Sequence, residues 1–89
     1  MTESQKTETK NKLRNYILEN YLFTDDQSAL ADDDSFLDKS IVDSTGIMEI
    51  IFFIEEEYGI KVDDEEMVPD NLDSINNLVA FVSKKSTHG

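Results

Sequence analysis

The sequence predicts an all-α fold: a small bundle of three main helices plus one short helix, with a long loop between the first two. Three observations carry this. Apolar residues recur at three- and four-residue spacing in three separate segments. No segment alternates apolar and polar residues as a half-buried strand would. Turn and breaker compositions separate the periodic segments. At 89 residues the chain has room for one domain. A chain this short buries only about 60% of its unfolded surface, so the expected core is thin.

The first helix is predicted from about Gln5 to Leu22, with residues 1–4 a flexible lead. Leu13, Ile17 and Tyr21 recur every four residues, and Tyr16 and Leu18 widen the stripe. Periodicity then fails from Phe23 to Asp43, where Thr24-Asp25-Asp26 and Asp32-Asp33-Asp34-Ser35 are turn compositions. A loop of roughly 20 residues is long for a compact domain and tends to be functional. Its apolar points Leu30, Phe36, Leu37, Ile41 and Val42 are expected to pin it to the core. The second helix starts at Asp43-Ser44 and runs to Tyr58, where Gly59 supplies the stop. Ile60 and Val62 follow in an extended link. Asp63-Asp64-Glu65-Glu66 forms a single turn, with Asp63 and Glu66 at capping-box spacing and Pro69 closing it. The last helix begins near Asp73 or Ser74 and places Ile75, Leu78, Val79 and Val82 on one face. Lys84 and Lys85 suit its C-terminal dipole, and residues 86–89 read as a disordered tail.

At about 100° per residue, Ile47, Ile50, Ile51, Ile54 and Tyr58 share one sector of the second helix, the predicted core stripe. Ser44, Met48, Phe52, Glu55 and Glu56 share the adjoining sector, with Glu49 at its edge. Ser44, Met48 and Phe52 stack along one ridge four residues apart. On the wheel alone two readings stand. Ser44 is a helix cap beside the fringe of a wide core, or it is a hydroxyl presented on a functional face.

The net charge is −12, and it is not evenly spread. Between Asp25 and Glu66 lie 15 of the 20 acidic residues against only Lys39 and Lys61, a net of −13 for that stretch. Such a balance excludes nucleic acid, whose binding needs clustered Lys and Arg, and disfavours anionic membrane surfaces. It favours cations, or proteins with basic patches. The absence of cysteine removes disulfides, thiolate nucleophiles and Cys-ligated metals. The polar Met1-Thr2-Glu3-Ser4-Gln5-Lys6 start is not a secretory signal. The longest apolar run, Ile50 to Ile54, is far short of the ~20 residues that span a bilayer. The expectation is a soluble, cytoplasmic monomer.

No catalytic constellation emerges. A Ser-His-Asp triad would have to recruit His88 from the tail. The three glycines form no phosphate loop. The Asp32-Asp33-Asp34 run lacks the alternating ligands, sixth-position Gly and terminal Glu of a calcium loop. The acids suit weak surface cation binding rather than a dedicated metal site. A non-enzyme is expected.

The run from Phe36 to Val62 resembles an acyl carrier protein. It contains Asp43-Ser44-Thr45-Gly46, an amphipathic helix, and the ending Glu55-Glu56-Glu57-Tyr58-Gly59. The likeness continues through Asp63-Asp64-Glu65-Glu66-Met67 and Asn71-Leu72-Asp73-Ser74-Ile75, and covers most of the chain. The family usually has Leu after its serine. The Thr45-Gly46 form is familiar among stand-alone carriers of aminoacyl, polyketide or surface-polysaccharide pathways. Val42-Asp43 does not match the Gly-Gly that usually precedes the serine in peptidyl carriers.

The resemblance implies a carrier domain over residues 5–85. It implies that Ser44, next to its motif neighbour Asp43, bears 4′-phosphopantetheine derived covalently from coenzyme A. It further implies that the chain carries acyl or aminoacyl thioesters in fatty-acid, polyketide or specialised-metabolite biosynthesis. The implied partners are a phosphopantetheinyl transferase, an acyl- or aminoacyl-loading enzyme, and ketosynthase or acyltransferase-type enzymes with basic docking patches. Met48 and Phe52 would give them a small apolar contact, and Asp43, Glu49, Glu55 and Glu56 would steer them. The acidic stretch as a whole then reads mainly as a docking surface. Ile47, Ile51, Ile54, Ile60, Met67, Leu72, Ile75 and Val79 are candidates to line a shelter for cargo. Phe53 and Phe81 would occupy space that a long chain needs, which points to short or polar cargo. The rival from another class is an acidic helical interaction module in which Ser44 is only a helix cap. A third reading is a small acidic cation-binding protein.

Overall fold

The computed structural model describes residues 2–86, and all regular structure among them is helical. Helix α1 spans Glu3–Ile17, α2 Ser44–Tyr58, α3 Pro69–Leu72 and α4 Ile75–Ser86. The predicted arrangement of three main helices, one short helix and a long loop is therefore the one observed. Among the described residues no helix is long and apolar enough to cross a membrane. The part of the expected tail beyond Ser86, including His88, lies outside the described residues, as does Met1.

Three boundaries differ from the sequence reading, each for a local reason. Helix α1 begins at Glu3 rather than near Gln5, because Thr2 and Gln5 form a capping box. The Gln5 N–H donates to Thr2 Oγ1 at 3.2 Å and the Thr2 N–H to Gln5 Oε1 at 2.9 Å. At its other end α1 does not run on regularly to Leu22. It widens into a π turn over Leu18–Leu22 and stops at Phe23, which is left-handed at φ 55°.

Pro69 opens a helix instead of closing one. The acidic turn is a short 3₁₀ segment, Asp64–Glu66, and the chain restarts at Pro69 as the first residue of α3. A proline lacks the N–H that the first helical position does not use, and its fixed φ already suits the helix. The extended Val68 before it, φ −124° and ψ 152°, is what a pre-proline residue prefers.

The core is built from every segment. Leu13, Ile17 and Leu18 come from α1 and its π turn, and Ile50, Ile51 and Ile54 from α2. Helix α4 adds Ile75, Leu78, Val79, Phe81 and Val82. Tyr58, expected in the core stripe, and Ile47 are only half-buried.

The long loop is more ordered than its composition implies. Leu30, Phe36 and Val42 are buried as expected. Three of its acids are engaged by other groups of the chain. Asp26 caps a 3₁₀ turn at Gln27–Ala29, accepting from the Ser28 N–H at 3.0 Å and the Ser28 hydroxyl at 2.7 Å. Asp32 pairs with Arg14 and, at 3.1 Å, with Lys10, while its carbonyl accepts from the Asn76 N–H at 2.9 Å. Asp34 accepts from the Ala31 N–H at 2.9 Å and pairs with Lys39 at 3.3 Å. These contacts hold the Asp26 and Asp34 carboxyls below the usual carboxylate range.

Residues 36–41 form one helical turn closed in the Schellman manner. The Ile41 N–H donates to the Phe36 carbonyl at 2.8 Å, and the Ser40 N–H to the Leu37 carbonyl at 3.1 Å. Ser40 is left-handed at φ 55°. This turn buries Phe36 and leaves Leu37, expected to be a core pin, 41% exposed.

Candidate functional site

The loop delivers the chain to α2 through Asp43, which is extended at φ −104° and ψ −171°. Its Oδ1 accepts from the Gly46 N–H at 2.8 Å, so Asp43 is the N-cap. That corrects the reading of Ser44 as a cap. Ser44 sits one residue further on, at the first helical position, inside the cap rather than at it. It is exposed, and among the described residues no hydrogen bond engages its hydroxyl. Among the described residues the N–H groups of Ser44 and Thr45 have no acceptor at this helix end either. Together with the positive end of the helix dipole they favour an anionic group on the serine. A phosphodiester attached there therefore fits the residues present.

From Ser44 the outer ridge of α2 runs as the wheel predicts. Met48 is 41% and Phe52 60% exposed, and Glu49 and Glu56 are exposed acids beside them. Glu56 has no ion pair or hydrogen bond among the described residues. Glu55, predicted in the same sector, is different. It is half-buried, and its Oε2 accepts from the Val62 N–H at 2.9 Å, tying the Ile60–Val62 link back onto α2. One oxygen of its carboxylate is thus engaged within the fold.

Two recesses flank Ser44. On one side an apolar groove of about 290 Å³ runs between α2 and α3, with Leu37, Ile47, Ile51 and Met67 among its walls. That volume is at the small end of the roughly 300–1,000 Å³ typical of ligand sites. Of the eight residues predicted to shelter cargo, Ile47, Ile51, Met67 and Leu72 line this groove. Ile54 and Ile75 are fully buried behind it, and Val79 is buried on α4. Ile60 packs half-buried against the core. Phe53 lies elsewhere, stacked on Tyr16 with ring centroids 4.1 Å apart, and Phe81 is part of the core.

On the other side of Ser44 a more polar recess is lined by Tyr21, Ser40, Ile41, Val42, Asp43, Thr45 and Glu49. Tyr21 is the residue whose part in the site the helical stripe did not show. Its hydroxyl donates to Glu49 Oε1 at 2.9 Å and lies 3.4 Å from the Gly46 carbonyl. The one sequence signal was Gly46, since a glycine inside a helix costs ~1 kcal/mol relative to alanine and marks a close approach. A Cβ there would stand 2.9 Å from Val42 Cβ and 3.3 Å from Tyr21 Cε1.

Residues 12–82 match the family model described as the phosphopantetheine attachment site. The chain is 35% identical over 57 residues to an acyl carrier protein of Rhodococcus erythropolis, a match covering 64% of this chain and 60% of that protein. It is 32% identical over 60 residues to an acyl carrier protein of Buchnera aphidicola, covering 67% of this chain and 72% of the relative. An acyl carrier protein of Thermotoga maritima is 25% identical over 60 residues, with the same coverage. The match thus spans less than two thirds of the Rhodococcus relative's own length. The chain belongs to the acyl carrier protein family, whose cofactor is phosphopantetheine and whose members are carriers, not catalysts.

Proposed function

We propose that this chain carries acyl or aminoacyl intermediates on a 4′-phosphopantetheine arm attached at Ser44, and delivers them to partner enzymes of fatty-acid, polyketide or specialised-metabolite biosynthesis in the cytoplasm. One observation carries the assignment. Ser44 is exposed at the start of α2 with its hydroxyl unengaged, because Asp43 does the capping. When attached, the arm supplies the terminal thiol that this cysteine-free chain lacks, and cargo travels on it as a thioester.

The chain's own residues do the rest. The open helix end favours the phosphodiester. The apolar groove beside Ser44 can take the first carbons of a cargo chain, and its small volume suits a short one. Met48 and Phe52 offer an apolar centre of contact, rimmed by Glu49 and Glu56, for enzymes with basic patches such as a phosphopantetheinyl transferase or a ketosynthase. Encounters of this kind are fast and salt-sensitive. The rival reading, an acidic helical interaction module, shares the charge and the helices, and the transferase assay separates the two.

The test is direct. Apo-protein is incubated with coenzyme A and a promiscuous phosphopantetheinyl transferase, then weighed intact. A mass gain of one arm is expected for the natural chain and none for Ser44→Ala. No gain in the natural chain, or a gain that survives the substitution, would refute the assignment.

A further inference from the structure

The recess on the loop side of Ser44 contains one contact that the outer ridge of α2 does not account for. Glu49 is an exposed acid one turn from the serine, and an exposed glutamate normally samples several rotamers. Here it is held from below. The Tyr21 hydroxyl donates to Glu49 Oε1 at 2.9 Å. Tyr21 itself has little freedom. It sits in the π turn that ends the first helical segment. Its ring meets Tyr16 edge-on with centroids 6.1 Å apart, and Tyr16 in turn stacks on Phe53 of α2. Its hydroxyl lies 3.4 Å from the Gly46 carbonyl, and its Cε1 would stand 3.3 Å from a Cβ placed on that glycine. A row of three aromatic rings thus staples α1 to α2 and ends in a hydroxyl aimed at one carboxylate.

We propose that Tyr21 is a positioning residue for the modification and loading of Ser44: by fixing the Glu49 carboxylate at the rim of the recess shared with Asp43 and Ser44, it presets the acid that a basic group of the incoming enzyme meets. The proposal rests on Ser44 being the modified residue. A carboxylate has room for several donors, so accepting one from Tyr21 leaves the rest for a partner's arginine or lysine. Holding its rotamer beforehand removes part of the ordering cost of docking. Burial, and then the bond to Glu49, push the Tyr21 phenol well above its ordinary value, so it remains a donor throughout the neutral range. Gly46 eases the same approach: a Cβ there would stand 3.3 Å from Tyr21 Cε1 and, more tightly, 2.9 Å from Val42 Cβ.

The experiment is a mutant cycle on the transferase reaction, read as rate of mass gain against carrier concentration. Variants are Tyr21→Phe, Glu49→Ala and the double substitution, with thermal melting of each followed by circular dichroism. Tyr21→Phe keeps the ring and loses only the hydroxyl. It is expected to raise KM for the carrier about two- to ten-fold, the worth of one immobilised side chain, with kcat near that of the natural chain. Glu49→Ala should raise KM at least as much, and the double variant no further than Glu49→Ala alone. A KM for Tyr21→Phe equal to that of the natural chain, or effects that multiply in the double variant, would overturn the proposal and leave Ser44 as the attachment site. No mass gain in the natural chain would overturn both. Should Tyr21→Phe fail to fold, Glu49→Ala with unchanged KM overturns it from the other side of the pair.

Discussion

In the loop between α1 and α2, Asp26, Asp32 and Asp34 each accept from or pair with groups of the chain itself. On the outer face of α2, Glu56 has no such partner among the described residues, and Glu49 accepts only from a phenol. Both regions belong to the same acidic stretch and look alike as composition. In the loop the Asp26 and Asp34 carboxylates accept backbone N–H groups that irregular chain leaves unpaired, and Asp32 ties the loop to α1 through Arg14 and Lys10. On the helix the backbone is already satisfied; Glu55 accepts from Val62 and Glu57 pairs with Lys12, which leaves Glu56, and Glu49 beyond its one bond to Tyr21, open to others among the described residues. As carboxylates for the docking surface we propose, Glu49 and Glu56 of the helix are on offer, whereas Asp26, Asp32 and Asp34 of the loop are engaged within the chain. Glu55 stands between the two, a helix acid with one oxygen engaged by the Val62 N–H. Charge tells its purpose only once its hydrogen-bond partners are known.

That contrast can be broken at several points. The largest effect is expected at the centre of the loop. Phe36→Ala removes a fully buried ring, and such deletions cost about 3–5 kcal/mol, a large share of the ~5–15 kcal/mol that stabilises a small domain. Urea unfolding should show a much lower midpoint, and a change under about 1 kcal/mol would mean that the loop does not anchor the fold. Asp32→Ala comes next. It strips the mostly buried Arg14 and Lys10 of their shared partner, and a loss of about 1–2 kcal/mol is expected in the same assay. Modification of Ser44 should proceed at the natural rate in this variant once conditions keep it folded. A slowed transfer would show that the loop acids dock partners after all.

The helical acids should behave in the opposite way. Glu49→Lys with Glu56→Lys should leave the melting temperature nearly unchanged and slow transferase modification about ten-fold or more at low salt, roughly 1.4 kcal/mol. The gap should close as salt screens the natural chain. Equal rates for the two proteins at low salt would remove the docking role.

The smallest effect is expected at Glu66, an acid outside both regions. Lys85, paired at 2.7 Å, and the Asp63 N–H at 3.0 Å hold its carboxyl below its ordinary value of 4.5. A group depressed in the folded state stabilises above its unfolded pKa, and that contribution is lost as pH falls through the folded value. Glu66→Gln should therefore melt slightly lower than the natural chain at pH 7, with the difference fading below about pH 4.5. A difference that persists unchanged at pH 3 would assign it to packing instead of charge.

The elements whose signal is local were legible in the residues. Helix α2 begins and ends where Asp43 and Gly59 place it, because a carboxylate cap and a left-handed stop act within a few residues of chain. The face of α4 was equally plain, since Ile75, Leu78, Val79 and Val82 at helical spacing can bury themselves only together. Proline misled by one role, as its ring suits the first turn of a helix as well as the end of a loop. The π turn and the left-handed Phe23 and Ser40 were not legible, because neither residue carries the glycine or asparagine that normally announces that conformation.

By itself, then, the sequence determined the helical class, the ridge from Ser44 through Met48 to Phe52, and the family likeness. All three rest on spacing and residue type along one element. What only the tertiary structure decided is which groups are already occupied. Asp43 takes the cap and leaves Ser44 free. Glu55 is turned inward to Val62. Tyr21 crosses from the end of the first helical segment, over Gly46, to hold Glu49. Each depends on a partner distant in the chain or on a competition between neighbours for the same N–H, and periodicity carries no information about who wins it.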